Sequence, residues 1–282
     1  MTTQGNTRAP YEARMRRAEK LAASLPFAAE ILKFYRHVAA LQGDVYAELA
    51  SSGSLAATGF KSPSGGTDLV ARGEPDLTQI LPHYRGFLAL VEENGPGNLV
   101  AASKVVGGLP AESWMAALSA YWKTAGVSDQ AIGAFAQFFA RAVMQPCAEI
   151  AGERVVAPPQ VVTRNTCPRC EGRPLLGVLR VEGDGGKRFL LCSFCLQEWE
   201  FRRILCPTCG ETAEQKLPVY VAEQMPHVRV EACDTCKLYL RTIDLTEDGH
   251  AVPIVDDLAA LPLTLWAQEH GYSRLQPNLL GT

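Results

Sequence analysis

Cysteine is missing from the first 146 residues of this 282-residue chain, and all nine cysteines lie from Cys147 onward. Nine in such a length is too sparse for a small disulfide-stapled secreted domain. Charge of one sign is missing too. A net charge of −3 and a pI near 6.0 leave no overall basic excess for nucleic acid or an anionic membrane. No stretch of about 18 uncharged apolar residues occurs, so membrane insertion is not expected. Arg16, Arg17 and Lys20 give the segment from Met15 a superficial likeness to a twin-arginine leader. Glu30 and Lys33 interrupt it where an apolar core should lie, and the segment reads as an exposed basic helix turn. The compartment expected is the cytoplasm, where thiols stay reduced.

Catalytic patterns are also lacking. His37, His83, His227, His250 and His270 show no ligand spacing. "SPSGGTD" lacks the lysine of a phosphate loop, and Ser51, Ser52 and Ser54 form no nucleophile elbow. The chain reads as a protein without turnover rather than an enzyme.

What is present divides into two halves. Residues 1–157 read as an all-α helical domain of five or six helices. A first helix runs from Pro10 to Leu25, and Pro26 opens a second with Phe27, Ile31 and Phe34/Tyr35 on one face. "SSGSLAATGFKSPSGGTD" reads as a loop. Helical patterns return at Leu77–Glu93, stop at "NGPGN" and resume at Pro110–Lys123. Ser128 suits the cap of a long helix with Ile132, Phe135, Phe139 and Val143 at helical spacing. Cys147, just after it, reads as an inert buried thiol. "VVAPPQ" reads as a short linker.

Beyond it the pattern turns to strands. "LLGVLRV" and "KRFLLC" flank "EGDGG", a hairpin signal, and "EWEFRRIL" supplies a third strand. A second copy follows: "PVYVAEQ" and "HVRVEAC" with Val219/Val221 and Val228/Val230 alternating, then "LYLRTIDL". The copies, 161–204 and 205–282, make a tandem repeat of small β modules. "DDLAALPLTLWAQEHGY" closes the chain as a helix with a break or kink at Pro262, and Asp256 and Asp257 are read as its cap.

Each module carries two C-x-x-C pairs: Cys167/Cys170 with Cys192/Cys195, then Cys206/Cys209 with Cys233/Cys236. About 0.3 such pairs are expected by chance, against four present. Inserts of 21 and 23 residues separate the members of each set. Two C-x-x-C turns can complete a tetrathiolate cage, which suits zinc and mononuclear iron alike. Pairing first with second and third with fourth follows the repeat, while pairing second with third across the module boundary stays open. A closed cage has no free coordination position for hydrolysis. Pro207 and Gly210 suit the turn at Cys206–Cys209, whereas Glu171 stands where glycine would be expected after Cys170.

The order "CPRC … LLCSFCLQEWEFRRILCPTCG … VEACDTCKLYLRTIDL … VDDLAAL … EHGY" resembles the formate dehydrogenase accessory protein FdhE family, over about 115 residues. The resemblance implies a multidomain α and β protein: the all-α N-terminal domain, two tandem rubredoxin-like (zinc-ribbon-like) modules and a short C-terminal helix. It implies two mononuclear iron sites of four cysteines each. Cys167, Cys170, Cys192 and Cys195 would hold one and Cys206, Cys209, Cys233 and Cys236 the other; zinc is the alternative. It further implies a cytoplasmic accessory protein that binds the catalytic subunit of a respiratory formate dehydrogenase during maturation, with homo-oligomerisation open. Two other functions compete. One is a rubredoxin-type electron-transfer component. The other is a zinc-ribbon nucleic-acid binder, for which Lys187, Arg188, Arg202 and Arg203 argue and Glu198 and Glu200 argue against.

Overall fold

The computed structural model describes residues 8–52, 60–61, 71–125, 134–155, 161–182 and 185–281. Ser128, Ile132, the linker after Val155 and most of the Gly/Ser-rich stretch lie outside these. The N-terminal half builds α1 (Ala9–Ser24) and α2 (Ala29–Ser52), joined by a 3-10 turn at Pro26–Ala28. Two short strands follow, β1 (Phe60–Lys61) and β2 (Ala71–Arg72). Then come α3 (Leu77–Asn94), α4 (Gly97–Gly107), α5 (Ala111–Lys123) and α6 (Ala134–Glu153). Asp76 caps α3 by accepting a hydrogen bond from the Thr78 N–H at 3.0 Å. The sequence reading missed α4. "NGPGN" ends α3, but Pro96 also pre-sets the chain for the helix that starts at Gly97.

The helical domain is built around α6, which packs against α2, α3, α4 and α5. Every residue from Phe138 to Gly152 is buried, the pattern of a helix covered on all sides. Phe135 is the exception to the expected face: it lies beyond that cover and is 45% exposed. The helix continues through Pro146, so Cys147 sits inside it rather than after it, fully buried, with burial pushing its thiol up to about 12. Polar ties fix α6 in register with the first two helices. Arg14 grips Glu149 with two hydrogen bonds of 3.0 and 2.7 Å, Tyr11 donates to the same carboxylate, and Gln42 donates to the Ala142 carbonyl.

The C-terminal half contains β3 (Pro174–Glu182), β4 (Gly185–Cys192), β5 (Glu198–Glu200), β6 (Val219–Ala222), β7 (Met225–Ala232) and β8 (Leu238–Asp244). After them come α7 (Pro253–Ala259), α8 (Leu261–Glu269) and β9 (Ser273–Arg274). The two modules share one sheet. Its order is β5-β4-β3-β8-β7-β6, with β9 alongside β8. The seam is a parallel pairing in which Gly177, Val178 and Leu179 lie opposite Thr242, Ile243 and Asp244. A side chain at Gly177 would put its Cβ 2.3 Å from Thr242 Oγ1, so this position needs glycine. Arg188 also spans the modules, pairing with Glu231 at 2.5 Å and donating to the carbonyls of Arg202 and Leu205.

Two strand-level details differ from the sequence pattern. The third strand of the first module is only three residues long, because Arg202 N–H turns away to the Val162 carbonyl. Val228 and Val230 are buried as expected, but Val219 and Val221 are about half exposed on an edge strand. Opposite Val230 stands Tyr220, which puts Tyr220 rather than the valines on the inner side of β6. The C-terminal helix breaks at Ala260, with Pro262 in the first turn of α8.

Asp256 and Asp257, read from the sequence as a helix cap, do more than that. Both are fully buried. Asp256 accepts from the Val252 N–H and from Arg17 of α1, and it meets His227 Nε2 at 2.8 Å. Asp257 pairs with Arg241 and Arg274 and accepts from Asn278. Arg17 is therefore no exposed basic residue, since it also binds Asp248 and ties α1 to the C-terminal region.

The buried fork should dominate over exposed pairs. Glu149→Gln is expected to lower unfolding free energy by about 3–5 kcal/mol, leaving the Arg14 cation uncompensated. Glu19→Gln, which breaks the exposed pair with Arg36, should cost less than about 1 kcal/mol. Denaturant titration of both variants checks the contrast.

Candidate metal centres

The structure gathers the cysteine sulfurs in two groups: Cys167, Cys170, Cys192 and Cys195, and Cys206, Cys209, Cys233 and Cys236. Within each group all sulfurs lie within 4.8 Å of one another, and no other cluster of ligand-type side chains forms among the described residues. The first pair therefore closes with the second and the third with the fourth. In the first group Cys167–Cys195 is 3.6 Å, Cys170–Cys192 3.4 Å and Cys170–Cys195 3.4 Å. In the second, Cys206–Cys236 is 3.8 Å and Cys209–Cys233 3.6 Å. Metal–sulfur bonds of about 2.3 Å at tetrahedral angles require sulfurs about 3.8 Å apart, so both groups could hold a metal ion.

The knuckles explain how the chain presents the sulfurs. Each closes through backbone bonds such as Glu171 N–H to the Cys167 carbonyl at 2.8 Å and Lys237 N–H to the Cys233 carbonyl at 2.8 Å. Further N–H groups point at sulfur: Gly172 at Cys170, Phe194 at Cys192 and Thr208 at Cys206, over 3.3–3.4 Å. Such donors favour thiolate over thiol. The residue after each pair must then adopt positive φ, and it does in all four cases: Glu171 60°, Leu196 52°, Gly210 77° and Lys237 59°. Only one of these is glycine. Glu171 holds the strained conformation with its carboxylate on Arg164 at 3.0 Å, so glycine is not required there. At Gly172 glycine is required, since a Cβ would lie 2.7 Å from Cys192 Sγ.

Electrostatics shows what a cation would supply. Hydrogen bonds from the neighbouring cysteines, Cys170 first, hold the Cys167 thiol well below its ordinary range. Burial pushes Cys192 and Cys195 well up. Opposite directions at neighbouring sulfurs are what crowding imposes, and a central cation would permit four thiolates. In the second group burial pushes Cys236 up to about 12. Burial acts upward on Cys206 too, but the Cys209 and Thr208 N–H groups outweigh it and leave that thiol lowered.

The two cages differ in surroundings. All four cysteines of the first are buried, whereas in the second Cys209 is exposed and Cys236 partly so. The helical domain seals the first. Gly152 of α6 lies so close that an added Cβ would stand 2.8 Å from Cys195 Cβ. Arg169, inside the first knuckle, donates to the carbonyls of Gly152 and Val155. Phe194, inside the second, is fully buried between Tyr121 and Trp122 of α5, and its carbonyl accepts from Gln145 at 2.6 Å. Sequence reasoning did not pick out Phe194; an aromatic between two metal-ligand candidates was the available signal.

A helical domain locked onto a sheet with two tetracysteine groups defines a protein with two candidate metal sites. The central domain of FdhE matches residues 166–203 and the C-terminal domain of FdhE matches residues 204–280. The chain is 27% identical over 270 residues to the Protein FdhE homolog of Aquifex aeolicus, across 95% of this chain and 94% of that one. It is 37% identical to the Protein FdhE homolog of Pseudomonas aeruginosa over 123 residues, 42% of this chain and 40% of that relative. The crystal structure of the FdhE protein from Pseudomonas aeruginosa shares the fold, with a TM-score of 0.69 at 23% identity over 98% of this chain and 96% of that one. The chain is thus similar to FdhE proteins along its length, and residues 166–280 carry the two FdhE domain matches. Among the described residues no helix is long and apolar enough to cross a membrane.

Two outcomes follow from this geometry. Gly172→Ala should lose one of two metal equivalents, while Gly210→Ala, with open space around its Cβ, should keep both and lose about 1–2 kcal/mol of stability. In a chelator titration followed by native mass spectrometry, one metal should leave well before the other. Cys206→Ser should abolish the early phase and leave the late one.

Proposed function

We propose that this chain is an accessory protein for the maturation of a respiratory formate dehydrogenase, acting in the cytoplasm without turnover on that enzyme's catalytic subunit. The observation that carries the reading is a pair of tetracysteine cages with no open coordination position, built onto a helical domain and shared with the FdhE family. Such cages hold a fold together and present a surface; they leave no place for substrate at the metal. The eight ligands proposed are Cys167, Cys170, Cys192 and Cys195 for the first metal, and Cys206, Cys209, Cys233 and Cys236 for the second. Iron is the proposed occupant of both. Bound iron would supply a one-electron couple that zinc lacks, and the protein's contribution is the four-sulfur set, the N–H···S bonds and the degree of burial.

A second reading, a rubredoxin-type electron-transfer component, draws on one observation: Cys209 is exposed, which would bring a metal in the second cage close to a redox partner. That reading leaves the helical domain without a task.

Production of the chain in a bacterium with a respiratory formate dehydrogenase but no FdhE of its own tests the proposal. Restored formate-dependent dye reduction and co-purification of the catalytic subunit with the tagged chain are expected. Normal enzyme without the chain, or no association with it, contradicts the proposal. For the metal, a visible absorption band bleached by dithionite is expected, and a colourless protein with two zinc equivalents would overturn the iron assignment.

A further inference from the structure

A cavity of about 750 Å³ opens between the helical domain and the C-terminal tail. Ile31, Leu99 and Phe138 are among its apolar walls. Phe27 and Phe135 also line it, 51% and 45% exposed, an unusual setting for two large aromatics. Of the lining residues only Glu30 and Arg141 are charged, and Glu30 is exposed to solvent. Arg141 is not: it is 9% exposed.

The molecule treats its other buried arginines differently. Arg14, Arg17, Arg188 and Arg241 each pair with a carboxylate: Glu149, Asp256, Glu231 and Asp257. Arg141 pairs with none among the described residues, and its guanidinium donates from Nη1 to the Pro277 carbonyl at 2.9 Å. Burial lowers its affinity for its proton, although the Asp257 charge acts in the opposite direction. A buried cation without a counter-charge is costly, and the cost is recovered when an anion arrives. A guanidinium favours a carboxylate, which it can take with two parallel hydrogen bonds. Amide side chains, among them Asn98, Gln137 and Gln276, also line the cavity and can meet peptide N–H and C=O groups, which leaves the guanidinium as the partner for a side-chain carboxylate.

We propose that this cavity seats an apolar peptide segment carrying a Glu or Asp side chain, with that carboxylate on Arg141 and flanking apolar side chains against Phe27 and Phe135. The inference goes beyond the accessory reading, because it states the chemistry of a partner segment whichever protein supplies it. The cavity volume lies in the usual range for ligand sites.

Fluorescence polarisation with the full-length, metal-loaded chain provides the test, using three labelled peptides about a dozen residues long. One is apolar with a central Glu and amidated end, one has Gln in its place, and one carries its carboxylate only at the chain end. The Glu peptide should bind at least tenfold more tightly than the other two. Arg141→Leu should abolish that preference while leaving thermal stability unchanged or higher, and Phe27→Ser, at the exposed mouth, should weaken binding several-fold. The losses from Arg141→Leu and from Glu to Gln should not add, since they remove the same contact. Equal binding of Glu and Gln peptides, preference for the chain-end carboxylate, unchanged binding by Arg141→Leu, or no binding at all overturns the inference. Peptides tiled from a formate dehydrogenase catalytic subunit are measured alongside. If the Glu peptide binds and no tiled peptide does, the cavity inference stands and the accessory reading loses this contact.

Discussion

Four sulfurs brought within van der Waals reach of one another, under the end of a buried helix, are the constraint on which this structure depends. The first cage lies where α6, α5 and the β3–β4 hairpin meet. Its sulfurs are crowded and buried, so a bound cation would supply the attraction that offsets repulsion among thiolates. Gly152 and Gly172 exist as glycines because the cage fills the space a Cβ would take, with Cys195 Cβ at the first and Cys192 Sγ at the second. Phe194 carries the same contact into the helical core. Metal binding at this cage would therefore be linked to folding of the first module and docking of the helices.

The second cage is built by the same local rules and set in another environment. Its knuckles close with the same backbone bonds and the same positive φ, but Cys209 faces solvent. What ties it to the rest is the sheet: the parallel seam of β3 with β8, the Arg188–Glu231 pair, and the buried arginine–carboxylate set around Asp256 and Asp257. These ionic ties return the C-terminal tail to α1 and to β8. They hold position more than they add stability, because desolvation of each ion offsets much of the Coulomb attraction. One cage buried and one at the surface divides the candidate metal sites into a joint and an exposed face.

Much of this was legible in the residues. The cysteine pairs stood out because C-x-x-C spacing is rare by chance and was repeated, and the strand and helix patterns on either side of the linker reported the change of architecture. The shared sheet was not legible, since nothing in either repeat says that Gly177 will meet Thr242 across a parallel seam. Positive φ at Glu171, Leu196 and Lys237 was hidden for a similar reason: the closed knuckle imposes the conformation and a tertiary contact holds it. Arg17 read as an exposed residue and Asp256 and Asp257 as a helix cap, because charge alone carries no information on burial. Their partners lie more than two hundred residues apart in the case of Arg17 and Asp256. Val219 and Val221 alternated as a buried strand should, yet β6 is an edge with its inner face set by Tyr220.

The central claim is that the first cage joins the helical domain to the sheet. Hydrogen exchange by mass spectrometry on Cys192→Ser, compared with the unmodified metal-loaded chain, measures it directly. The account predicts that α6, from Ala134 to Glu153, loses protection together with β3 and β4, while β7 keeps its own. Full protection of α6 in that variant would contradict it.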